Sequence, residues 1–517
     1  MLQLDSLLKL SIGLRLLLKN KYVKIIVINI SEKIITMANQ TFLFYDLETT
    51  GINKAFDQVL QFAAVRTDLE FNEIERLNFF VKLNPDTTPS PMATITHHIS
   101  IAQANTGVTE YAAIRKIHKI INTPGTISIG YNTLGFDDEF LRFAFYKNML
   151  PPYTHQFKND CYRADLFPIV TSYSIFCTEA LKWPKVTDEE GVEKTSLKLE
   201  NLNAENDFYS GGRAHDAITD VLVTVELAKR LKQVNPKMLQ YLLDKFDKQT
   251  DEATMSQLDV GVEVSEKGYK QAIAVSGIFG FKNNFMSAIL DLGQHHHYKN
   301  QQIFMRLDSV LLSDFIEEHG SLEVEHWRLT LNKKWGDIPL ILPAKTRFVG
   351  RLPKERLELI KANKEFIEQN KDVFLNFVEF VLEYKYPTVE NVDAGADIYQ
   401  AGFMTSADEK GCDKFHVSDI VKKAQMLNQL PKDYYQRAMR IVGRLDFSKL
   451  PDNAQMEFQE YLNRVVTLEN DEMLIDHRGK PRKSLEDIYQ EMQDVRTNRE
   501  LTEEQQALLI ELEEYLF

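Results

Sequence analysis

The stretch FLFYDLETTG, from Phe42 to Gly51, places two carboxylates at the end of an apolar strand. Asp46 and Glu48 are separated by one residue, and the chain turns directly after them. Two neighbouring carboxylates at the end of a buried strand are costly unless positive charge compensates them. The usual compensator is a divalent metal ion held by oxygen ligands. The stretch therefore points to metal-assisted phosphoryl chemistry, for which the rest of the chain has to supply further ligands.

The composition is that of an ordinary globular protein with an acidic total. At 517 residues, the chain is long enough for two to four domains. Its 61 basic and 75 acidic residues give a net charge of −14, which does not exclude nucleic-acid binding, because binding depends on local positive surface. The cysteines Cys161, Cys177 and Cys412 form no CxxC pair, so neither a zinc site nor a disulfide framework is predicted. A reducing, cytoplasmic setting fits this pattern.

Residues 1–36 are rich in leucine and isoleucine, and basic residues interrupt the apolar runs. A signal peptide or a membrane span would show one clean apolar run, so neither is predicted. We interpret this segment as a non-native or disordered extension, and Met37 as the true start of the protein. A basic amphipathic helix at a membrane surface is the alternative.

The pattern from residue 37 to 234 predicts a mixed sheet flanked by helices, an α/β (α+β) fold. Three strands with short turns are predicted first, at 42–46, 59–66 and 76–83. Helices and strands then alternate, with a helix at 108–122, a buried strand at 126–132, an amphipathic helix at 136–148, and a helix from about His215 to Leu231.

The pattern changes near residue 235, where short strand-like runs and many turn signals begin. We expect a β-rich domain at 235–384, with helical pieces such as 352–384, and an almost wholly helical domain at 385–517. The predicted units are therefore 1–36, 37–234, 235–384 and 385–517. No long low-complexity linker separates them, so we expect the domains to pack together.

Two further acidic elements occur where a strand gives way to a helix. The first is GYN at 130–132 followed by FDDEF at 136–140, and the second is AHDAITD at 214–220. The helix dipole favours acidic residues in a first turn, which explains some of these carboxylates but not the asparagine at the strand end. A histidine near a helix start is more often structural, and His215 followed five residues later by Asp220 is unremarkable alone.

Taken together, the three elements resemble the motifs of the DEDD exonuclease superfamily, in its histidine-containing branch. Asp46 and Glu48 match the first motif, Asp137 the second, and His215 with Asp220 the third. The resemblance is closer still to the bacterial exodeoxyribonuclease I family, over about residues 40–517. It is carried by FLFYDLET, QFAAVRTD, GYNTLGFDDEF, FYKN, SLKLENL, AHDAITDV and NVDAGADIYQAGF. The family implies an RNase H-like exonuclease domain, an SH3-like domain and a C-terminal helical domain, enclosing a groove for single-stranded DNA.

The resemblance implies 3′→5′ hydrolysis of single-stranded DNA to 5′-mononucleotides, in DNA repair and recombination. Two Mg²⁺ ions about 3.5–4 Å apart, with Mn²⁺ as a substitute, would stabilise the attacking and leaving oxygens. We expect three metal ligands: Asp46, Glu48 and Asp220. Asp137 would complete the acidic cluster, and His215 would take the proton from the attacking water.

Two acidic residues beside these positions are expected to have other roles. Asp138 competes with Asp137, but the family ligand directly follows Phe136, so Asp137 is preferred. Asp216, next to His215, is interpreted as a helix-start residue.

Substrate contacts are implied by the resemblance alone. Lys198 in SLKLENL falls where the family has a basic residue that holds substrate, although an ordinary exposed lysine would look the same. Glu48 is counted among the substrate contacts, and three residues occupy approximate DNA-contact positions: Arg142, Tyr153 and Phe157. Stacking of aromatic side chains on bases is sequence-tolerant and contributes about 1–3 kcal/mol per base.

The family also binds the acidic, Phe-terminated C-terminal tail of single-stranded DNA-binding protein. Tyr241, Arg347 and Arg351 lie near the matching positions. Residues 345–364 carry seven basic and two acidic residues, so this segment is a candidate surface for phosphate or partner binding, with a solvated helix face as the alternative. The chain departs from the family at 177–183, where CTEALKW lacks an arginine of the tail site.

Two other functions fit parts of the sequence. A related 3′→5′ exonuclease for RNA or for polymerase proofreading would carry the same motifs, and the long region after residue 234 favours the first interpretation. A non-catalytic DNA-end-binding scaffold would have little reason to keep a costly acidic cluster. We expect a monomer without membrane association.

Overall fold

A six-stranded mixed sheet forms the centre of the first domain. The computed structural model describes residues 40–187, 191–212, 215–466 and 473–517. The strands of the sheet are β1 (Thr41–Thr49), β2 (Val59–Thr67), β3 (Glu73–Lys82), β4 (Val108–Thr109), β5 (Thr126–Gly130) and β6 (Tyr162–Asp165). Their order is β4-β3-β2-β1-β5-β6, so β1 lies inside the sheet, antiparallel to β2 and parallel to β5. The predicted mixed sheet is confirmed.

Helices cover both faces of this sheet. They are α1 (Pro91–His97), α2 (Ile101–Asn105), α3 (Glu110–Ile121), α4 (Asp137–Lys147), α5 (Leu166–Phe176), α6 (Leu199–Asn206) and α7 (Ala217–Val234), and a hairpin of β7 (Lys185–Thr187) and β8 (Glu193–Thr195) precedes α6. Leu43 and Tyr45 cluster with α3 and α4, whereas Phe44 clusters with α5 and α7. Because alternate residues of a strand point to opposite faces, Asp46 and Glu48 share the face of Phe44, which α7 covers.

The second domain is an antiparallel β-domain with attached helices. Its strands are β9 (Val260–Val264), β10 (Lys267–Val275), β11 (Met286–Gln294), β12 (Gln301–Arg306), β13 (Thr330–Lys334) and β14 (Leu340–Pro343). Their order is β13-β12-β11-β10-β14, with β9 paired to β10. The helices of this part are α8 (Pro236–Leu243), α9 (Lys248–Ser256), α10 (Leu312–His319), α11 (Thr346–Val349), α12 (Lys354–Gln369) and α13 (Lys371–Glu383). The predicted β-rich second domain is confirmed.

The central strand of this second sheet, β11, is not among the strand-like runs that the sequence shows in this domain, which are VGVEV (260–264), AIAVSGIFGF (272–281), QQIFMRLD (301–308) and IPLILPA (338–344). Its first five residues are all buried, so the strand lacks the alternation of buried and exposed positions that marks a half-exposed strand. Its register with β12 also shifts between Asp291 and Gly293, which breaks the pattern toward its end.

From Ser406 onward, the described part of the C-terminal region is mostly helical, with a non-helical stretch at 473–484. Its helices are α14 (Ser406–Val417), α15 (Ile420–Met426), α16 (Lys432–Asp446), α17 (Asp452–Val466), α18 (Leu485–Asn498) and α19 (Glu503–Leu516). The expectation of helix directly from residue 385 is wrong, because 384–405, all described, hold neither helix nor strand beyond a bridge at Val392. Pro387, Gly395 and Gly402 interrupt this stretch, and Gly402 takes a left-handed φ of 77°.

The three parts are packed together rather than tethered. The largest apolar cluster includes Phe44 and Val225 of the first domain and Ile273 of the second. Arg444 of α16 forms an ion pair of 2.6 Å with Asp86 in the first domain. The exact domain boundaries stay a prediction.

The predicted N-terminal extension at 1–36 lies outside the described residues. Within the ranges that the structure describes, no helix combines the length and the apolar character that crossing a bilayer requires.

Candidate active site

Three carboxylates meet where β1 ends and α7 begins. The ligand oxygens of Asp46, Glu48 and Asp220 all lie within 4.8 Å of one another. β1 supplies the first two from one face, since residues i and i+2 of a strand point the same way. Asp220 lies in the first turn of α7, which packs on that face. The structure thus brings together the three side chains predicted as metal ligands.

A fourth carboxylate, Asp137, lies beside this group at the start of α4. Its side chain is buried and accepts a hydrogen bond from the backbone N–H of Leu47, the residue between Asp46 and Glu48. Burial raises the pKa of Asp137 to about 8, and the charge of Asp165 acts in the same direction. Asp137 in turn helps to raise the pKa values of Asp46 and Glu48, so the predicted motifs form one electrostatic unit.

The cluster is unfavourable without a cation. Burial raises the pKa values of Asp46 and Glu48 well above their usual range, and the neighbouring carboxylates add to this effect. Burial also raises the pKa of Asp220 to about 7, although the backbone N–H of His215 donates a hydrogen bond to it. No described lysine or arginine is among the main charges acting on these carboxylates. Such an oxygen-only donor set fits a hard divalent cation of the Mg²⁺ or Mn²⁺ type.

The raised pKa values predict that the metal-free protein loses stability as the pH rises through neutrality. An acid whose pKa is higher in the folded chain binds more protons when folded, so its stabilising contribution is lost as the pH rises to the folded pKa. For Asp220 and Asp137 this loss extends to about 7 and about 8. We expect the melting temperature in EDTA to fall between about pH 6.5 and pH 9, and Mg²⁺ to reduce the fall because it binds the deprotonated cluster.

Other buried groups limit the pH range in which the change in melting temperature reports on the acidic cluster. Burial lowers the pKa of His97 to about 3, and the pKa values of His118 and His416 to about 4. These histidines add stability as the pH rises, but only until the unfolded chain has titrated near pH ~6.5. The Asp137→Asn variant, followed by thermal denaturation in EDTA, is the control and is expected to show a smaller fall. A melting temperature that rises with pH in this window would contradict the interpretation.

Asp138 and Asp216 have the structural surroundings of non-ligand residues. Asp138 is fully buried and accepts hydrogen bonds from His155 Nε2 at 2.8 Å and from Arg163 at 2.6 Å. Although burial alone would raise it, these partners hold the pKa of Asp138 well below its usual range. Asp216 is the N-cap residue of α7, and its carboxylate accepts hydrogen bonds from Thr219 Oγ1 at 3.0 Å and from a glutamine of β2. Both positions agree with the preference for Asp137 and with a helix-start role for Asp216.

His215 lies in the turn directly before α7. Its side chain is exposed, and its backbone takes a left-handed φ of 60°. Its backbone N–H donates to the carboxylate of Asp220, which places His215 next to the cluster. Its role as the catalytic base stays a prediction.

The predicted substrate contacts differ in how accessible they are. Phe157 is 69% exposed, and Lys198, the N-cap residue of α6, is also exposed, so both are available to a ligand. The ring of the half-buried Tyr153 lies 5.9 Å from the ring of Phe403, which is 86% exposed. Arg142 is buried, with its Nε 3.3 Å from an oxygen of Asp138. These contacts stay predictions, with Arg142 the least accessible of them.

Two residues of β6 next to the site are not among those predicted from the sequence. Asp165 is the N-cap residue of α5, and its carboxylate accepts the backbone N–H groups of Asn132 and Leu134 at 2.8 and 3.1 Å. It thereby fixes the turn that leads into α4. Arg163, two residues earlier, pairs with Asp138. A search for charged side chains at every strand end would have found both in the segment YRAD.

The three residues predicted for partner binding all lie in the second domain. Tyr241, on α8, is 39% exposed, and although burial raises its pKa, the nearby Arg347 acts to lower it. Arg351 is exposed as well. The basic segment 345–364 is less available than its composition indicates, because Lys345 pairs with Asp259 at 2.7 Å and Arg356 is buried against an aspartate.

The chain matches one family model and several curated relatives. The model described as "Exonuclease" (RNase T) matches residues 43–228. Exodeoxyribonuclease I of Escherichia coli is 34% identical over 269 residues, which are 52% of this chain and 54% of that protein. Exodeoxyribonuclease I of Haemophilus influenzae is 29% identical over 397 residues, 71% of this chain and 78% of that protein. The aligned sequence thus spans about half the length of the E. coli protein and about three quarters of the H. influenzae protein.

Solved structures extend the likeness over almost the whole chain. E. coli exonuclease I in complex with a dA16 oligonucleotide matches with a TM-score of 0.74 and 26% identity, covering 92% of this chain and 99% of that one. A structure described as SSB/exonuclease I in complex with an inhibitor matches with a TM-score of 0.74 and 25% identity, covering 92% and 99%. The fold, the acidic cluster and these likenesses agree: the chain is similar in structure to exonuclease I over 92% of its length, and its first domain matches the exonuclease family model.

Proposed function

We propose that this chain is a metal-dependent 3′→5′ exonuclease that hydrolyses single-stranded DNA and releases 5′-mononucleotides, in DNA repair and recombination. One observation carries the proposal: Asp46, Glu48 and Asp220 converge within 4.8 Å in a fold of the exodeoxyribonuclease I family. The match to an oligonucleotide complex over 92% of the chain supports a DNA strand as the substrate.

The chain's own side chains account for the rest of the chemistry. Asp46, Glu48 and Asp220 would hold two Mg²⁺ ions, or Mn²⁺ in their place, whose charge stabilises the attacking and leaving oxygens of a phosphodiester when they are bound. Asp137, held by the backbone N–H of Leu47, keeps the fourth side of the site acidic. The exposed side chain of the histidine before α7 takes the proton of the attacking water.

The accessible aromatic residues support a path for the strand. We assign Phe157 and Tyr153 to stacking on bases, and Lys198 to a phosphate, since each presents at least part of its side chain to solvent. Arg142 is assigned a supporting role, because its guanidinium lies 6.0 Å from the ring centroid of Tyr153. Glu48 would contact the terminal nucleotide as well as the metal.

A substrate panel tests the proposal. The full chain is incubated with Mg²⁺ and 5′-labelled single-stranded DNA, duplex DNA or RNA of matched sequence, and the same DNA is also tested with a phosphorothioate at its last 3′ linkage. We expect a ladder that shortens on single-stranded DNA only and that the 3′ phosphorothioate blocks. A preference for RNA would favour the RNA or proofreading alternative, and binding without cleavage would favour a DNA-end-binding scaffold.

We also propose that an acidic, Phe-terminated tail of single-stranded DNA-binding protein docks at Tyr241, Arg347 and Arg351. Basic residues beside an apolar ring suit such a tail, and the rings of Phe176 and Phe348 pack 5.1 Å apart next to Arg347. The double variant Arg347→Glu, Arg351→Glu is expected to weaken binding of a fluorescent acidic peptide ending in Phe at least about tenfold.

Fluorescence anisotropy measures this loss. Lys354→Glu, an exposed charge reversal on the neighbouring α12, is the matched control and is expected to change the affinity less than about twofold. The assignment would be contradicted if the double variant and the Lys354→Glu control lost the same affinity. Wild-type protein that binds a peptide without the terminal Phe equally well would contradict it too.

We also propose that the protein is a monomer in the cytoplasm. All three cysteines are free and buried, which suits a reducing compartment. Sedimentation at micromolar concentration is expected to give the mass of one chain.

A further inference from the structure

The first two residues of α4 send their carboxylates to different places. Asp137 accepts the backbone N–H of Leu47 at the acidic cluster. Asp138 instead faces the interior, fully buried, and accepts hydrogen bonds from His155 Nε2 at 2.8 Å and from Arg163 at 2.6 Å. The first turn of α4 therefore carries both Asp137, which belongs to the acidic site, and Asp138, which we call the buried anchor.

Arg163 joins this anchor to the second domain. One terminal nitrogen of its guanidinium donates to Asp138, and the other donates to Asp337 Oδ2 at 3.1 Å. Asp337 lies in the turn between β13 and β14, which is 174 residues away in sequence. The planar guanidinium presents donors in a fixed fork, so it holds both carboxylates in one geometry.

The connection continues into the second domain. The backbone carbonyl of Asp337 accepts a hydrogen bond from Lys333 Nζ. Lys333 also forms an ion pair of 2.5 Å with Asp251 of α9, and both side chains are fully buried. The turn that carries Asp337 is therefore fixed by the interior of its own domain rather than by solvent.

We propose that Arg163 is a positioning residue for metal binding, which couples the seating of the second domain to the place of Asp137 through Asp138 and the first turn of α4. A buried carboxylate that loses a partner is strongly unfavourable, so Asp138 moves with its partners, and Asp137, one residue away, moves with it. Groups that orient metal-binding side chains typically change metal affinity 10–100-fold. This inference rests on the proposed metal-dependent function of the acidic cluster.

Asp337→Asn is the direct test, because it leaves every predicted metal ligand and the Asp138–Arg163 pair in place. Mn²⁺ binding to the full chain is measured by calorimetry without DNA. We expect the affinity to fall about tenfold. The Mn²⁺ concentration for half-maximal DNA hydrolysis is expected to rise by the same factor, while kcat at saturating Mn²⁺ stays within about threefold.

Two further variants separate coupling from general loosening. Arg163→Lys keeps a positive charge for Asp138 but cannot hold two carboxylates in one plane, so it is expected to match Asp337→Asn. The double variant, which combines Asp337→Asn and Arg163→Lys, is expected to bind Mn²⁺ no more weakly than the weaker-binding single variant. The reason is that both changes break the same connection. Asp308→Asn breaks a buried pair with Arg356 inside the second domain and is the matched control.

Three outcomes would overturn the inference. They are an unchanged Mn²⁺ affinity in folded Asp337→Asn or Arg163→Lys, an equal loss in Asp308→Asn, and fully additive losses in the double variant. Failure of the proposed function looks different: wild-type protein would then bind no Mn²⁺, or would bind it without degrading DNA.

Discussion

Asp46→Asn is expected to lower kcat for single-stranded DNA by on the order of a thousandfold or more at saturating Mg²⁺, and Asp220→Asn to do the same. Each change keeps the shape of the side chain but removes one negative oxygen from a set that lies within 4.8 Å. Losing one preorganised electrostatic partner of a transition state typically costs 10²–10³ in rate, and a metal ligand acts on both the attacking and the leaving oxygen. Single-turnover digestion of labelled DNA measures the effect.

The stability of these variants gives an independent reading. The pKa of Asp46 is raised by burial and then by Asp137 and other carboxylates, so its charge is unfavourable in the metal-free fold. Asp46→Asn is therefore expected to keep or raise the melting temperature in EDTA while abolishing the stabilisation by Mg²⁺. A loss of activity with a lowered melting temperature would instead indicate misfolding.

Asp216→Asn is the matched control for Asp220→Asn, since Asp216 lies four residues earlier at the same helix start. Asp216 is the N-cap residue of α7, and its carboxylate accepts hydrogen bonds from the side chains of Thr219 and Gln61 rather than joining the group of three. We expect a rate within about threefold of wild type and, because these hydrogen bonds to a charged acceptor are weakened, a loss of about 1 kcal/mol in the free energy of unfolding. Equal loss of activity in both variants would show that acidity around α7, rather than the particular carboxylate, matters.

The acidic cluster was open to prediction because each of its parts has a local sequence signal. Asp46 and Glu48 end an apolar strand, and Asp220 follows a histidine at the start of a helix with a clear apolar face. Strand alternation and helix packing then bring them together without any special long-range information. The preference for Asp137 over Asp138 follows from the family pattern and stays a prediction, while the carboxylate of Asp138 is occupied by His155 and Arg163.

Long-range contacts explain what the sequence did not reveal. Arg163 and Asp337 are 174 residues apart, and nothing local to either residue marks the pair. The sequence predicts helix from residue 385, yet the irregular path of 385–405 is held by contacts with the first domain and with α16. Tyr399 packs against Phe143 with ring centroids 5.8 Å apart, and Asp393 pairs with Arg440 at 2.7 Å. Such tertiary contacts override weak local propensities.

His215→Asn is expected to lower kcat by roughly 10²–10⁴, the usual contribution of a general base, while KM for DNA changes only a few-fold. Asparagine is the informative replacement because His215 has a left-handed φ of 60°, a conformation that asparagine adopts more readily than other non-glycine residues. Steady-state kinetics on a labelled single strand give both constants.

Comparison with His215→Ala separates the loss of the catalytic base from the strain that a substitution places on the backbone. Alanine removes the same imidazole but also strains the turn, so it is expected to lose the same activity and additionally to melt at a lower temperature. Because the side chain is exposed, imidazole added to the buffer can reach the empty position, and we expect it to restore part of the rate in both His215 variants. It is not expected to rescue Asp46→Asn, whose defect lies in the carboxylate cluster. A rate that stays near wild type in His215→Asn would remove this histidine from the mechanism and leave the water to be activated by the acidic cluster alone.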